Sequence, residues 1–271
     1  MDLTRRPFEE TIGTLDLATW RTPVGRRLAG LVVRLAGWTA YTYVMLATGL
    51  VGVLVVAGAT AAVAEIYEQT VAEDGVAVWD RPVLDWVITW RTPGLNRWVT
   101  HLTDTAGPVG LPVVALLVLG GLALVWKRRT PLILGVIALL GSLAMTVVGK
   151  VLVGRHRPPF ADAVPPFEYS ASFPSGHTLN AAVFAGLVVY LLLTHEVHRI
   201  TRWLTALAGG IYVLAIGMSR VYLGHHWLTD VLVAYVLGLL WLAILITTHR
   251  LALTVGRRRR QLAELQAAGV R

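Results

Sequence analysis

The chain has 271 residues, of which 55% are hydrophobic and 15% charged, with a mean hydropathy of +0.63. An ordinary soluble domain carries about 25% charged residues, so a soluble fold is disfavoured and a membrane bundle is favoured. There are no cysteines, which excludes disulfide frameworks, thiolate metal sites and a cysteine nucleophile. The formal net charge is +8, but the basic residues cluster at the ends of apolar blocks and in the tails. Membrane topology explains that pattern, and a nucleic-acid partner is not called for.

Residues 1–34 hold six arginines and no apolar run. They do not resemble a secretory signal peptide, and the first apolar block is expected to remain as an uncleaved anchor. Six segments are then long enough, or nearly so, to cross about 30 Å of hydrocarbon. They run from Leu35 to Ala64, Ala106 to Trp126, Pro131 to Gly149, Gly176 to Thr194, Trp203 to Met218 and Leu228 to Thr248. The expected architecture is all-α, a bundle of six transmembrane helices over residues 35–248, with tails at 1–34 and 249–271.

Orientation follows from the basic residues. With both tails on one side, that side holds 17 of the 24 lysines and arginines and is expected to be cytoplasmic. The chain then belongs in the plasma (inner) membrane. The loops Glu65 to Thr105, Lys150 to Ser175 and Ser219 to Trp227 face outward.

The first outer loop contains two short amphipathic stretches. Val83, Trp86, Val87 and Trp90 recur at helical spacing, as do Leu95, Trp98, Val99 and Leu102. Pro82 and Pro93 suit helix starts, and Thr92 suits an N-cap. Trp79, Trp86, Trp90 and Trp98 fit a headgroup-level belt, or the two helices pack as a cap on the bundle. The Arg257 to Arg260 run reads as a solvated tail that fixes topology.

Polar residues at membrane spans are costly and mark function. They gather at three places on the outer side. Lys150 and Arg157 are two cations at the end of the third span, followed by Pro158. Pro174-Ser175-Gly176-His177 opens the fourth span: Ser175 is a natural N-cap, Gly176 permits close approach of a ligand, and the free N–H groups make an anion site. Ser219-Arg220 is followed by His226 and Asp230, four residues apart and on one helix face. A carboxylate there can hold the Nδ1 proton and leave Nε2 free to attack. The set supplies cations, backbone donors, two histidines and an orienting carboxylate, as phosphoryl transfer requires. No carboxylate cluster suited to magnesium occurs on the outer side, so neither a metal nor another cofactor is expected.

The three segments resemble the signature of the type-2 phosphatidic acid phosphatase superfamily, Lys-x6-Arg-Pro, Pro-Ser-Gly-His and Ser-Arg-x5-His-x3-Asp, in order and without substitution. The resemblance implies a lipid phosphatase working through a phosphohistidine. In it His226 is the nucleophile, Asp230 orients it, and His177 is the general acid. Lys150, Arg157, Ser175, Gly176 and Arg220 hold the phosphate. The spacing selects His226 over His225. His156 and Arg155 fall at unspecified positions inside the first motif, and Arg155 is read as a headgroup contact. An outward site makes undecaprenyl pyrophosphate the first expected substrate. Phosphatidic acid, phosphatidylglycerol phosphate and diacylglycerol pyrophosphate are the alternatives, as is lipid phosphotransfer.

Overall fold

The computed structural model describes residues 10–36, 49, 50, 52, 54, 58, 76–195 and 198–268. The expected first span, Leu35 to Ala64, lies largely outside the described residues. Helices dominate the rest. In chain order they are α1 (Pro23–Ala36), α2 (Asp80–Ile88), α3 (Pro93–Asp104), α4 (Gly110–Trp126), α5 (Thr130–Val153), α6 (Gly176–His195), α7 (Arg199–Tyr222) and α8 (Leu228–Ala267). A two-residue hairpin pairs β1 (Thr11–Ile12) with β2 (Leu15–Asp16) ahead of α1.

Four of these helices, α5 to α8, are long and apolar enough to cross a membrane. Helix α4 is apolar but has 17 residues. The chain punctuates these helices with residues suited to the task. Lys127 closes α4 in the left-handed region (φ 52°), and Pro131 sits in the first turn of α5, where a missing N–H costs nothing. Gly154, at φ 59°, ends α5 in a conformation open to glycine and reverses the chain. That reversal brings Arg155 and Arg157 back over the end of the bundle at which α5 stops.

Helix α6 is the hub, packed against α5, α7 and α8. Leu134, Met145, Leu179, Leu187, Leu237 and Trp241 are fully buried around it. Lipid tails are as apolar as leucine, so close packing rather than water release holds such helices together. Gly141 shows how. The Trp241 indole lies against it so tightly that a Cβ there would sit 2.3 Å from the ring, and Trp241 Nε1 donates to the Ala138 carbonyl at 3.0 Å. Polar ties add to this: Ser142 donates to Asn180 at 2.6 Å, and Tyr190 pairs with His249 Nδ1 at 2.7 Å. Each contributes about 0.6 kcal/mol on average.

Short helices do occupy the segment before α4. Thr92 caps α3, its hydroxyl accepting from Leu95 N at 3.2 Å. Helix α2 starts at Asp80, two residues before Pro82. It buries Leu84 and Val87 against Val221 and Val231, while Trp86 and Trp90 stay exposed. Both helices rest on α7, and α2 also rests on α8, so they cap one end of the bundle.

The sixth expected span differs in extent. Helix α8 has 40 residues, about 60 Å at 1.5 Å per residue and twice the hydrocarbon thickness. It runs unbroken through the arginine run read as a solvated tail. Arg257 pairs with Glu10 at 2.6 Å and Asp16 at 2.8 Å, and Arg260 also pairs with Glu10. Val32 and Val33 of α1 pack on Val255. The basic run therefore docks the N-terminal hairpin and α1 onto the helix.

Candidate active site

Helices α4, α5 and α6, the loop before α6 and His226 in the turn before α8 enclose a cavity of about 670 Å³. Lys150, Glu168, Ser170, Gly176, His177 and His226 line its polar end; Leu111 and Pro112 of α4 and Leu139 and Leu143 of α5 line its apolar wall.

His226 sits in the turn between α7 and α8 and is 1% exposed. Its Nε2 lies 3.1 Å from Arg157 Nη1. A guanidinium can only donate, so Nε2 is the accepting nitrogen and Nδ1 carries the proton. Nδ1 faces Asp230 Oδ2 at 3.5 Å and Ser172 Oγ at 3.4 Å. The lone pair on Nε2 thus points toward the cationic pocket. Burial first, then Arg157 and Arg220, holds the imidazole well below its ordinary pKa, which keeps it neutral.

Asp230 is completely buried and fully engaged. Oδ1 accepts from Arg155 at 2.6 Å; Oδ2 accepts from Ser172 Oγ at 2.5 Å and from Trp227 N at 3.0 Å. The adjacent His225 has another job. Its Nε2–H donates to the Val164 carbonyl at 2.7 Å and pins the 158–175 loop. Burial and Arg220 push that ring down to about 4. His156 is exposed, and its carbonyl accepts from Trp227 Nε1.

The cations form the opposite wall. Arg157 Nη2 pairs with Glu168 Oε2 at 2.8 Å, and the buried Arg220 pairs with Glu168 Oε1. Lys150 donates to Ser170 Oγ at 3.0 Å and to the Ala171 carbonyl. His177 Nδ1 stands 4.0 Å from Glu168 Oε1. Burial alone would raise the Glu168 carboxyl, but Arg220 and Arg157 overcome this and hold it well below the usual carboxylate range. An ionised carboxylate therefore sits between two guanidiniums and beside a histidine.

The fold brings all eight expected site residues together, although Ser175 is set back. It is fully buried, its N–H donates to the Asp230 carbonyl at 3.3 Å, and its hydroxyl accepts from Thr178 at 2.9 Å. Gly176 packs closely on Thr146, where a Cβ would come within 3.1 Å. Sequence reasoning missed Glu168, Ser172 and Asp80, and it read Arg155 as a headgroup contact. Arg155 instead bridges Asp230 and Asp80, and that bridge is a correction to the reading. Its only sequence signal was a third cation two residues before Arg157. Among the described residues, no group of three or more His, Asp and Glu side chains is arranged to hold a metal ion.

Known proteins are similar to this chain. The sequence profile of the PAP2 superfamily matches residues 130–253. Phosphatidylglycerophosphatase B of Bacillus subtilis (strain 168) is 38% identical over 156 residues, 55% of this chain and 73% of that protein. An undecaprenyl-diphosphatase of Sulfolobus acidocaldarius is 34% identical over 145 residues, 51% of this chain and 61% of that protein. The crystal structure of a transmembrane PAP2-type phosphatidylglycerolphosphate phosphatase from Bacillus subtilis superposes with a TM-score of 0.60 at 27% identity, covering 75% of this chain and 94% of that one. The chain belongs to the PAP2 superfamily and is an integral membrane hydrolase of its lipid phosphatase type.

Proposed function

We propose that the chain removes phosphate from a lipid at the outer face of the plasma membrane through a phosphohistidine on His226. The observation that carries this is the pairing of a neutral, buried Nε2 aimed into the cavity with a carboxylate held by Arg157 and Arg220. Glu168 occupies the place of an anion, so a substrate phosphate entering that place displaces it. Nε2 then attacks phosphorus, and a P–N bond forms as the P–O bond to the lipid breaks. His177 protonates the departing oxygen, and in the second step it takes a proton from the water that releases phosphate. Lys150, Arg157, Arg220 and the Gly176 N–H neutralise the equatorial oxygens, and Asp230 holds the Nδ1 proton.

The apolar wall from α4 and α5 gives the lipid tail a path from the bilayer while the headgroup reaches the polar end. With α4, about 26 Å long, and the segment 35–64, the bundle has six spans. Residues 35–248 form the phosphatase domain, both termini are cytoplasmic, and α2 and α3 are its amphipathic surface helices.

Phosphatidylglycerol phosphate is the first substrate to try, because phosphatidylglycerophosphatase B of Bacillus subtilis is 38% identical over 156 residues and the solved phosphatidylglycerolphosphate phosphatase shares the fold. Undecaprenyl pyrophosphate is the second, favoured by an outward site and by the archaeal relative. Purified protein would be offered both lipids and phosphatidic acid, with His226→Ala alongside. Release from at least one lipid, abolished in His226→Ala, is the expected result. Equal release by the variant would refute the role of His226, and release that needs an added acceptor alcohol would make the chain a phosphotransferase.

A further inference from the structure

Asp80 lies on α2, fifty residues before the matched region begins, and no motif includes it. It is nonetheless 4% exposed, with both oxygens engaged. Oδ1 accepts from Thr229 N at 2.8 Å, satisfying a free N–H in the first turn of α8. Oδ2 accepts from Thr229 Oγ1 at 2.7 Å and from Arg155 Nη2 at 2.7 Å. Arg155 reaches the other way with Nη1, to Asp230 Oδ1 at 2.6 Å and Thr229 Oγ1 at 2.8 Å, and its guanidinium lies 5.7 Å from the Trp227 ring centroid.

The arrangement has two consequences. The guanidinium is planar and fixed at both ends, so it sets the rotation of the Asp230 carboxylate and hence the plane of Oδ2 that faces His226. Charge is the second. Arg155 alone would neutralise Asp230 and weaken its support of the cationic ring that forms when His226 takes phosphorus. Asp80 returns one negative charge to the group, so the Asp80–Arg155–Asp230 unit keeps a net charge of −1 toward the imidazole.

We propose that Asp80 and Arg155 are positioning residues for the nucleophile, with Asp80 holding Arg155 so that it clamps Asp230 without cancelling its charge. This rests on His226 being the nucleophile. It also makes the position of the α2 cap a condition of activity, because Asp80 is the cap's contribution to the site.

The test uses full-length protein in mixed micelles and whichever of the three lipid phosphates above gives the highest wild-type rate. Asp80→Asn keeps the side chain's shape and one acceptor but removes its charge. Arg155→Lys keeps a charge but cannot bridge two carboxylates in one plane. Each is expected to lower kcat by about tenfold to 10²-fold with KM within about twofold of wild type, the signature of a misplaced reacting group rather than a lost binding contact. The double variant Asp80→Asn/Arg155→Lys is expected to lose no more than the worse single variant, since one unit is broken once. Wild-type kcat in Asp80→Asn, or losses that multiply in the double variant, would overturn the proposal. If Asp80→Asn fails to give monodisperse protein, Arg155→Lys decides alone, and wild-type kcat there also overturns it. His226→Ala runs in parallel. Activity in that variant sinks the nucleophile assignment itself, whereas an inactive His226→Ala beside a normal Asp80→Asn sinks only the positioning role.

Discussion

Replacing Asp230 with asparagine perturbs the proposed nucleophile through its tautomer. Every polar group around the carboxylate donates to it: Arg155 at 2.6 Å on Oδ1, then Ser172 Oγ at 2.5 Å and Trp227 N at 3.0 Å on Oδ2, with His226 Nδ1 facing Oδ2 at 3.5 Å. An amide has one acceptor oxygen and one NH2, so one side must meet a donor. If the NH2 faces Arg155, a charge-assisted bond of about 1.5–3 kcal/mol is lost. If it faces Trp227 and His226, a neutral bond of about 0.5–1.5 kcal/mol is lost, because the Ser172 hydroxyl can rotate to accept. Counting the amide's own bonds alone, the second orientation is favoured by about 1 kcal/mol. It presents an N–H to His226 Nδ1, which must then accept; the ring proton moves to Nε2, where it meets the donor Arg157 Nη1 now 3.1 Å away, so the two must also part. A nitrogen carrying that proton cannot attack phosphorus. The corresponding aspartate-to-asparagine change in a serine protease triad costs about 10⁴ in kcat, so a fall of about 10³ to 10⁴ is expected here. KM should change little, and stability should drop by about 1–3 kcal/mol. Phosphate release under saturating lipid, with thermal unfolding as the folding control, reads both. An Asp230→Asn variant within tenfold of wild-type kcat would refute the tautomer argument.

Three further outcomes are expected. Arg157→Ala and Arg220→Ala each remove a guanidinium from the anion pocket, and turnover should fall about 10²-fold or more while the bundle still folds; normal activity in either would mean the pocket is wrongly placed. Stability should fall as pH drops from about 6.5 towards 4. In that window the unfolded chain takes up protons that His225 and His226 refuse when buried, and Glu168, held below its free value of 4.5, adds to the fall only at the window's acid end. The melting temperature should thus be lower at pH 5 than at pH 7, and the gap should narrow in His225→Gln; equal melting temperatures would count against the burial of neutral rings. A reporter fused after Arg271 should read as cytoplasmic, and an external signal would overturn the orientation.

The sequence made the site legible because its chemistry is carried by short local spacings. His226 and Asp230 are one helical turn apart, Ser175 to His177 open one helix, and Lys150 and Arg157 flank one helix end. The supporting shell was not legible in the same way. Asp80 meets Thr229 across 149 residues, and Arg155 meets Asp230 across 75. No periodicity encodes such contacts; the fold alone makes them. Glu168 lies in a loop without a repeating pattern, and nothing in the sequence singles it out. The extent of α8 was hidden for another reason. Hydropathy stops at the membrane edge, but Arg, Gln, Leu, Ala and Glu beyond it are good helix formers, so the helix continues where the apolar signal ends. Likewise α1 lies in a segment whose arginines signalled topology before they signalled a helix face packed on Val255.

The central claim is that phosphorus passes through His226. The direct measurement is rapid acid-free quenching of enzyme mixed with a lipid carrying a labelled terminal phosphate, in EDTA, followed by mass analysis of the labelled peptide. The account predicts an alkali-stable, acid-labile phosphoryl group on His226, formed at least as fast as turnover and absent in His226→Ala. Steady phosphate release with no label on the protein, or label on another residue, would contradict it.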